Sequence, residues 1–442
     1  MSGNLGRGGR QRALTIVVDV PRQSVSAVRE LLSEMATSEA RANNLRLPPS
    51  THFARWVLLD QAPVKLAFES NHDGNTREYL RQLVQCSSAT LQKLYGLCSK
   101  LKSSSELAVY LERHTVKSQA FYMGYPHFSA AEVRAALETR THVQKYVNAH
   151  RSELLSLRAD EVHARVRGYI ATSGLPVPAP RKVRSAPLRW LTNSLRNIFV
   201  PDPRKRVYAA FGLGAFLFLP LSPLLATPLA PVYGGYLLLL LVFAAVVRWR
   251  ERRDDAIGIE EPRAPHEHVR RLMQDEDHCT QNQITHVVSI KAGFLRRFLL
   301  RSVLFGTNLL ARTTFNQGEL VGIPTIHYAR WLIIDDRLVF FSNYDGSWDS
   351  YLGDFVDQAA WGLTAVWSHT LGFPSAFFIF GRGARDIERF KAWTRKNQVV
   401  TQFWYSAFPQ HTVRNIRDAL ELSMALSKPL HGRAAEAWVA RI

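Results

Sequence analysis

Thr51–Asp60 reads T-H-F-A-R-W-V-L-L-D, and Thr325–Asp335 reads T-I-H-Y-A-R-W-L-I-I-D. The second stretch restates the first 275 residues further on, counted from Arg55 to Arg330. An apolar run follows each and ends in one polar cluster, Ser70-Asn71-His72-Asp73-Gly74 or Ser342-Asn343-Tyr344-Asp345-Gly346. Further on, Gln119-Ala120-Phe121-Tyr122 with Pro126 answers Gln402-Phe403-Trp404-Tyr405 with Pro409. A core asks only for apolar residues at such places, so the repeated His, Arg, Asn and Asp mark a duplicated unit. From His52 to Asn71 is 19 residues and from His327 to Asn343 is 16. That difference falls in the turn between two strands, where length changes are tolerated.

Working outward, copy two predicts strands at Gln283–Lys291, Ile326–Ile334, Arg337–Ser342 and Val399–Ser406. Helices are predicted at Phe294–Arg312, Trp348–His369, Asp386–Asn397 and Thr412–Leu426. Copy one follows the same order, from a strand at Ala13–Val20 to a helix at Ser129–Asn148. Strand–helix–strand–strand–helix–strand is the order of a ferredoxin-like unit, whose open sheet face needs a cover. The expected fold class is therefore α+β, with two ferredoxin-like repeats facing each other as an intramolecular α+β barrel around a pocket. The expected divisions are a disordered basic arm at 1–12, repeat one at 13–150 and a helix, linker and interfacial helix at 151–206. A transmembrane hairpin at 207–247, a charged connector at 248–282 and repeat two at 283–430 complete them.

Val207 to Val247 is 41 residues without a charge, and about 20 apolar residues span a bilayer core. Pro220, Pro223, Pro228 and Pro231 break its middle, which predicts an inserted transmembrane helical hairpin, with a shallow re-entrant hairpin in one leaflet serving equally well. Arg204-Lys205-Arg206 and Arg248, Arg250, Arg252 and Arg253 flank it, so both ends belong on the cytoplasmic side. Pro187–Val200 mixes apolar and basic residues as an in-plane helix does. The expected setting is a bacterial inner membrane with both repeats cytoplasmic. Among 442 residues, 56 Lys and Arg face 37 Asp and Glu. Much of that excess flanks the hairpin, so anionic lipid is the expected partner and nucleic acid is not. Three cysteines in no C-x-x-C spacing argue against a disulfide framework or a zinc site.

The candidate site residues are the repeated ones: His327, Arg330, Asn343 and Asp345, with His52, Arg55, Asn71 and Asp73. Arg330 and Arg55 suit a carboxylate or phosphate through the guanidinium fork, or a structural ion pair. Asp345 and Asp73 suit acid–base work, although Asn-x-Asp-Gly is also ordinary turn chemistry. His327 and His52 suit a cofactor ligand or a proton carrier, or plain packing. Alternation puts His327 on the face of Ala329 and Trp331, opposite Tyr328 and Arg330. No G-x-S-x-G, P-loop, H-E-x-x-H or strand-linked G-x-G-x-x-G occurs.

Asp345-Gly346 at the end of a strand in a duplicated unit resembles the G-x-x-D-G motif of Dyp-type haem peroxidases. Ser342 and Ser70 stand where its first glycine belongs. The resemblance implies paired ferredoxin-like domains, haem, and Asp345 or Asp73 as the distal acid–base group. For the proximal ligand, His327, His286, His369 and His411 compete. Phe341–Leu352, F-S-N-Y-D-G-S-W-D-S-Y-L, is also similar to a segment of uncharacterised bacterial membrane proteins. The expected function is a membrane-anchored oxidoreductase, haem-dependent and peroxidase-like, acting on a lipophilic substrate. The alternative is a non-catalytic module that binds a lipid or an acidic small molecule.

Overall fold

In the computed structural model, residues 11–36, 45–60, 62–100, 103–178, 230–256, 264–274, 276, 279–315 and 319–442 are described. Apolar and β-branched alternation places β1 at Gln11–Asp19, β2 at Thr51–Leu59 and β3 at Lys65–Asp73. Short β4 follows at Ala120–Met123. Copy two forms β5 (Gln281–Ser289), β6 (Ile326–Ile334) and β7 (Arg337–Asp345). A two-rung hairpin, β8 (Ala376–Phe377) with β9 (Gly381–Arg382), precedes β10 (Phe403–Ser406).

The helices used below are α1 (Val25–Ala36), α2 (Thr76–Cys86), α3 (Ser104–Arg113) and α4 (Ala130–Ala149). Further on come α5 (Ala230–Ala256), α6 (Phe294–Thr313) and α7 (Trp348–Trp367). Last are α8 (Ile387–Asn397) and α9 (Val413–Ala425). Their starts are written locally. Asn75 accepts from the Arg77 and Glu78 amides, while Ser129 with Glu132 and Thr412 with Asn415 form capping boxes. Gly74 and Gly346, at φ +83° and +79°, let each central strand turn sharply into the next helix.

Two antiparallel sheets result, ordered β1-β3-β2-β10 and β4-β6-β7-β5. Neither is built from one repeat alone. Val17 and Val116 amides bond His114 and Thr15 carbonyls along the free edge of β1. A few residues later the same chain is β4, paired with β6 in the other sheet. Copy two repeats the move: the Val399 amide bonds the Thr285 carbonyl, and β10 then pairs with β2. The expected self-contained ferredoxin-like repeats are thus corrected: each lends its last strand to its partner. The exchange also covers the sheet edges that would otherwise be open.

The expected pocket between the sheets is filled. Val17, Val57 and Ala67 from one sheet meet Val287, Leu332, Val339 and Phe341 from the other. On the outer faces, β1–β3 pack on α1, α2 and α3, and β5–β7 on α6, α7 and α8.

Among the described residues no helix is long and apolar enough to cross a membrane. That finding overturns the inserted transmembrane hairpin. The second half of the uncharged stretch belongs to α5, which carries Arg248 to Arg253 within its own turns. Arg248 bonds Glu251 and the Ala376 carbonyl and lies 5.0 Å over the Phe377 ring. This end of α5 therefore docks on repeat two. The first half of the hairpin, the arm as far as residue 10 and the in-plane helix at Pro187–Val200 lie outside the described residues.

Candidate functional site: the duplicated polar centre

All eight repeated residues meet around one pseudo-twofold. Arg55 on β2 donates from Nε to Glu69 Oε2 at 2.9 Å and then reaches into the opposite sheet. There it donates to Gln283, to the Ile284 and Ser342 carbonyls and to Asn343 Oδ1. Arg330 on β6 answers from the other side. It donates to the Leu14 carbonyl at 2.7 Å, the Ser70 carbonyl at 2.9 Å and Asn71 Oδ1. It also pairs with Glu69 Oε1 at 2.7 Å.

Each guanidinium thus ties the other repeat's strands. One carboxylate serves both arginines, because Phe341 occupies the copy-two place of Glu69. Burial pushes both guanidinium pKa values down, Arg330 to about 10, while Glu69 pulls them back up. Glu69 thus favours the charged form of both guanidiniums against burial. The fork is used as a bolt.

A β-bulge in β2 and another in β6 shift the register at Thr51/Phe53 and at Ile326/Tyr328. The bulge turns His52 and His327 off the outer face and towards the centre. Strict alternation assigned His327 to the wrong side for that reason. His52 Nε2 meets Asp73 Oδ1 at 2.9 Å, and His327 Nε2 meets Asp345 Oδ1 at 2.7 Å. The second oxygens are committed elsewhere. Asp73 Oδ2 accepts from the Ala130 amide and Asp345 Oδ2 from the Val413 amide, each at 2.7 Å. Those amides open α4 and α9, so both carboxylates sit at positive helix ends.

Tyr125 lies 5.8 Å from both imidazole rings, and Tyr328 lies 5.6 Å from His52. Among the described residues neither imidazole Nδ1 has a hydrogen-bond partner. His52 and His327 are wholly buried and Asp345 is 7% exposed. The geometry resembles an acid–base pair, with both imidazoles buried and the second carboxylate oxygens spent on helix ends.

These residues do not fit haem. The space between the sheets is occupied by Arg55, Arg330 and the apolar layer, and both imidazoles are packed among aromatic rings whose centroids lie 5–6 Å away. His286 lies on the outer face between Trp367 and Trp393, beside a void of about 20 Å³, room for one water. Burial holds its pKa down near 3. His369 is also buried, and the His411 carbonyl accepts from Gln281.

Glu69, Gln11, Gln281 and Tyr125 belong to this centre although the repeated motifs did not mark them. Gln11 bonds the Tyr125 and Phe128 carbonyls, and Gln281 bonds those of Phe408 and His411. Their signal was present: Gln11–Val18, Q-R-A-L-T-I-V-V, parallels Gln281–Val288, Q-N-Q-I-T-H-V-V.

A separate cleft of about 440 Å³ opens between α5 and the start of α6. Arg250, Lys291 and Arg296 line it, with Asp254 and Glu251. Asp254 takes both Lys291, at 2.9 Å, and Arg296. Glu251 is held by Arg248 and by the Phe378 and Ile379 amides. Arg250 has no acidic partner among the described residues, and its Nε has no hydrogen bond. One of its terminal nitrogens lies 3.3 Å from where a Cβ would stand on Gly293. Gly293 begins α6 with no side-chain cap and no acid in the first turn. A cation thus sits against a positive helix end, an arrangement that an added anion relieves.

No family model, no curated protein and no solved structure matches the chain. The comparisons neither support nor oppose the likeness to Dyp-type peroxidases.

Proposed function

We propose that the protein is a non-catalytic binding module for an acidic small molecule, taken up in the cleft between α5 and α6. One observation carries this reading: Arg250, Lys291 and Arg296 converge on one cleft, and Arg250 has no acidic partner among the described residues. The duplicated centre would then be the frame that holds the repeats together. Its guanidiniums and carboxylates are consumed internally, whereas Arg250 and Lys291 of the cleft are half-buried and keep contact with solvent.

Titration calorimetry with inorganic phosphate at low ionic strength tests the reading. Arg250→Ala should weaken binding about tenfold, the worth of a charge-assisted hydrogen bond. Asp254→Asn should strengthen binding, because it removes the internal competitor for Lys291 and Arg296. Added salt should weaken binding of a solvent-facing charge. A wild-type protein that binds no phosphate, or an Arg250→Ala protein that binds as well as wild type, overturns the reading.

A further inference from the structure

The cationic cleft has an apolar rim. Leu371 lines the cleft and is 54% exposed. Ala376 lines it too, and the exposed rings of Phe377, Phe378 and Phe380 follow in the β8–β9 hairpin. Across the mouth, Ala292 lines the cleft, and Phe294 starts α6 at 84% exposure with Phe298 one turn on. Trp249, beside Arg250, is exposed as well. These side chains are tied to the charged floor. Phe377 lies beneath Arg248, and the Phe378 and Ile379 amides hold Glu251. Exposed apolar groups grouped around a charged cleft mark an interaction site more than scattered surface residues do.

We infer that the ligand is a single-chain amphiphile: a phosphate monoester head on Arg250, Lys291 and Arg296, with an alkyl tail over Leu371, Phe377 and Phe294. This rests on the anion-binding reading and adds the tail. The head accepts from guanidinium and ammonium donors and faces the uncapped amides of α6. The tail covers rim carbons that otherwise meet water, a gain that grows with each methylene buried. A soluble phosphate without a chain uses the floor and leaves the rim bare.

Calorimetric titration of the full chain with three probes, each below its micelle concentration, decides the matter. Dodecyl phosphate should bind one to one and at least about tenfold more tightly than inorganic phosphate. Dodecyl maltoside, with the same chain and no charge, should not compete. Phe294→Ser and Phe298→Ser should pull dodecyl phosphate down towards the affinity of inorganic phosphate while leaving the latter unchanged. That unchanged value shows that the variants are folded. Arg250→Ala should weaken both phosphates.

If inorganic and dodecyl phosphate bind equally and the rim variants are silent, the tail is refuted and the anion site stands. If neither phosphate binds, the anion site itself fails. Equal binding of dodecyl maltoside refutes the charged head. Binding only to vesicles of anionic phospholipid, with no binding of monomeric dodecyl phosphate, refutes a single-molecule site in favour of a lipid surface.

Discussion

Glu69 is the residue on which the centre balances. It is the one acidic side chain that pairs with the two buried guanidiniums among the described residues. Glu69→Gln keeps the shape and leaves two buried cations unpaired. The expected loss is about 3–5 kcal/mol, read as a lower denaturant midpoint. A loss below about 1 kcal/mol would mean that the carbonyl acceptors alone hold both arginines. Gly124 is a second test. A Cβ there would stand 2.3 Å from the Ile326 carbonyl oxygen, so Gly124→Ala must push β4 off β6. The expected loss is about 1–3 kcal/mol, and an unchanged melting temperature would show that the strand gives way freely. The repeated Arg, His, Asn and Asp were legible as one cluster because a core has no use for them twice. Glu69 was not, because its copy-two counterpart is Phe341 and no repetition flags it.

Elements were legible where period and caps agreed. The strand Ile326–Ile334 and the hairpin turn at Asp335-Asp336 follow the expected pattern. The faces of β2 and β6 were legible only up to their bulges, since an inserted residue leaves no mark in an alternation count. Neither was the partner of each aspartate. Asn-x-Asp-Gly does turn the chain at Gly346, but the Asp345 side chain serves the first turn of α9, 68 residues on. Asp345→Asn and Asp73→Asn should each lose an anionic helix cap, about 1–2 kcal/mol. Hydrogen exchange should place the loosening in the first turn of α9 or of α4 respectively. Exchange that rises evenly over the whole chain in either variant would contradict the capping role.

For the whole molecule, the exchange of β4 and β10 makes each sheet depend on both repeats. Both repeats should therefore unfold in one transition. Acid should bring that transition on. Burial, with help from nearby cations at His72 and His369, holds the His72, His286 and His369 pKa values near 3 against an ordinary 6.5. The unfolded chain binds these protons first, so the stabilisation is full above about pH 6.5 and is lost as pH falls towards 3. Each imidazole costs about 1.4 kcal/mol per pH unit across that window. A melting temperature that is flat from pH 6.5 to 4 would contradict the neutral burial of these rings. The exchange itself was illegible because the order of strands along a chain does not say which sheet takes the last one. The uncharged run from Val207 to Val247 shows a related limit. Its length suggested a membrane, but α5 continues past that run and docks its charged turns on repeat two.

The proposed function divides the labour, with the duplicated centre as frame and the α5–α6 cleft as ligand site. It is tested most directly by one titration series, inorganic phosphate into Asp345→Asn and Arg250→Ala side by side with wild type. Asp345→Asn should melt earlier and bind phosphate as wild type does. Arg250→Ala should melt as wild type does and bind about tenfold more weakly. The reverse pattern, phosphate binding lost with Asp345 and kept without Arg250, would contradict it.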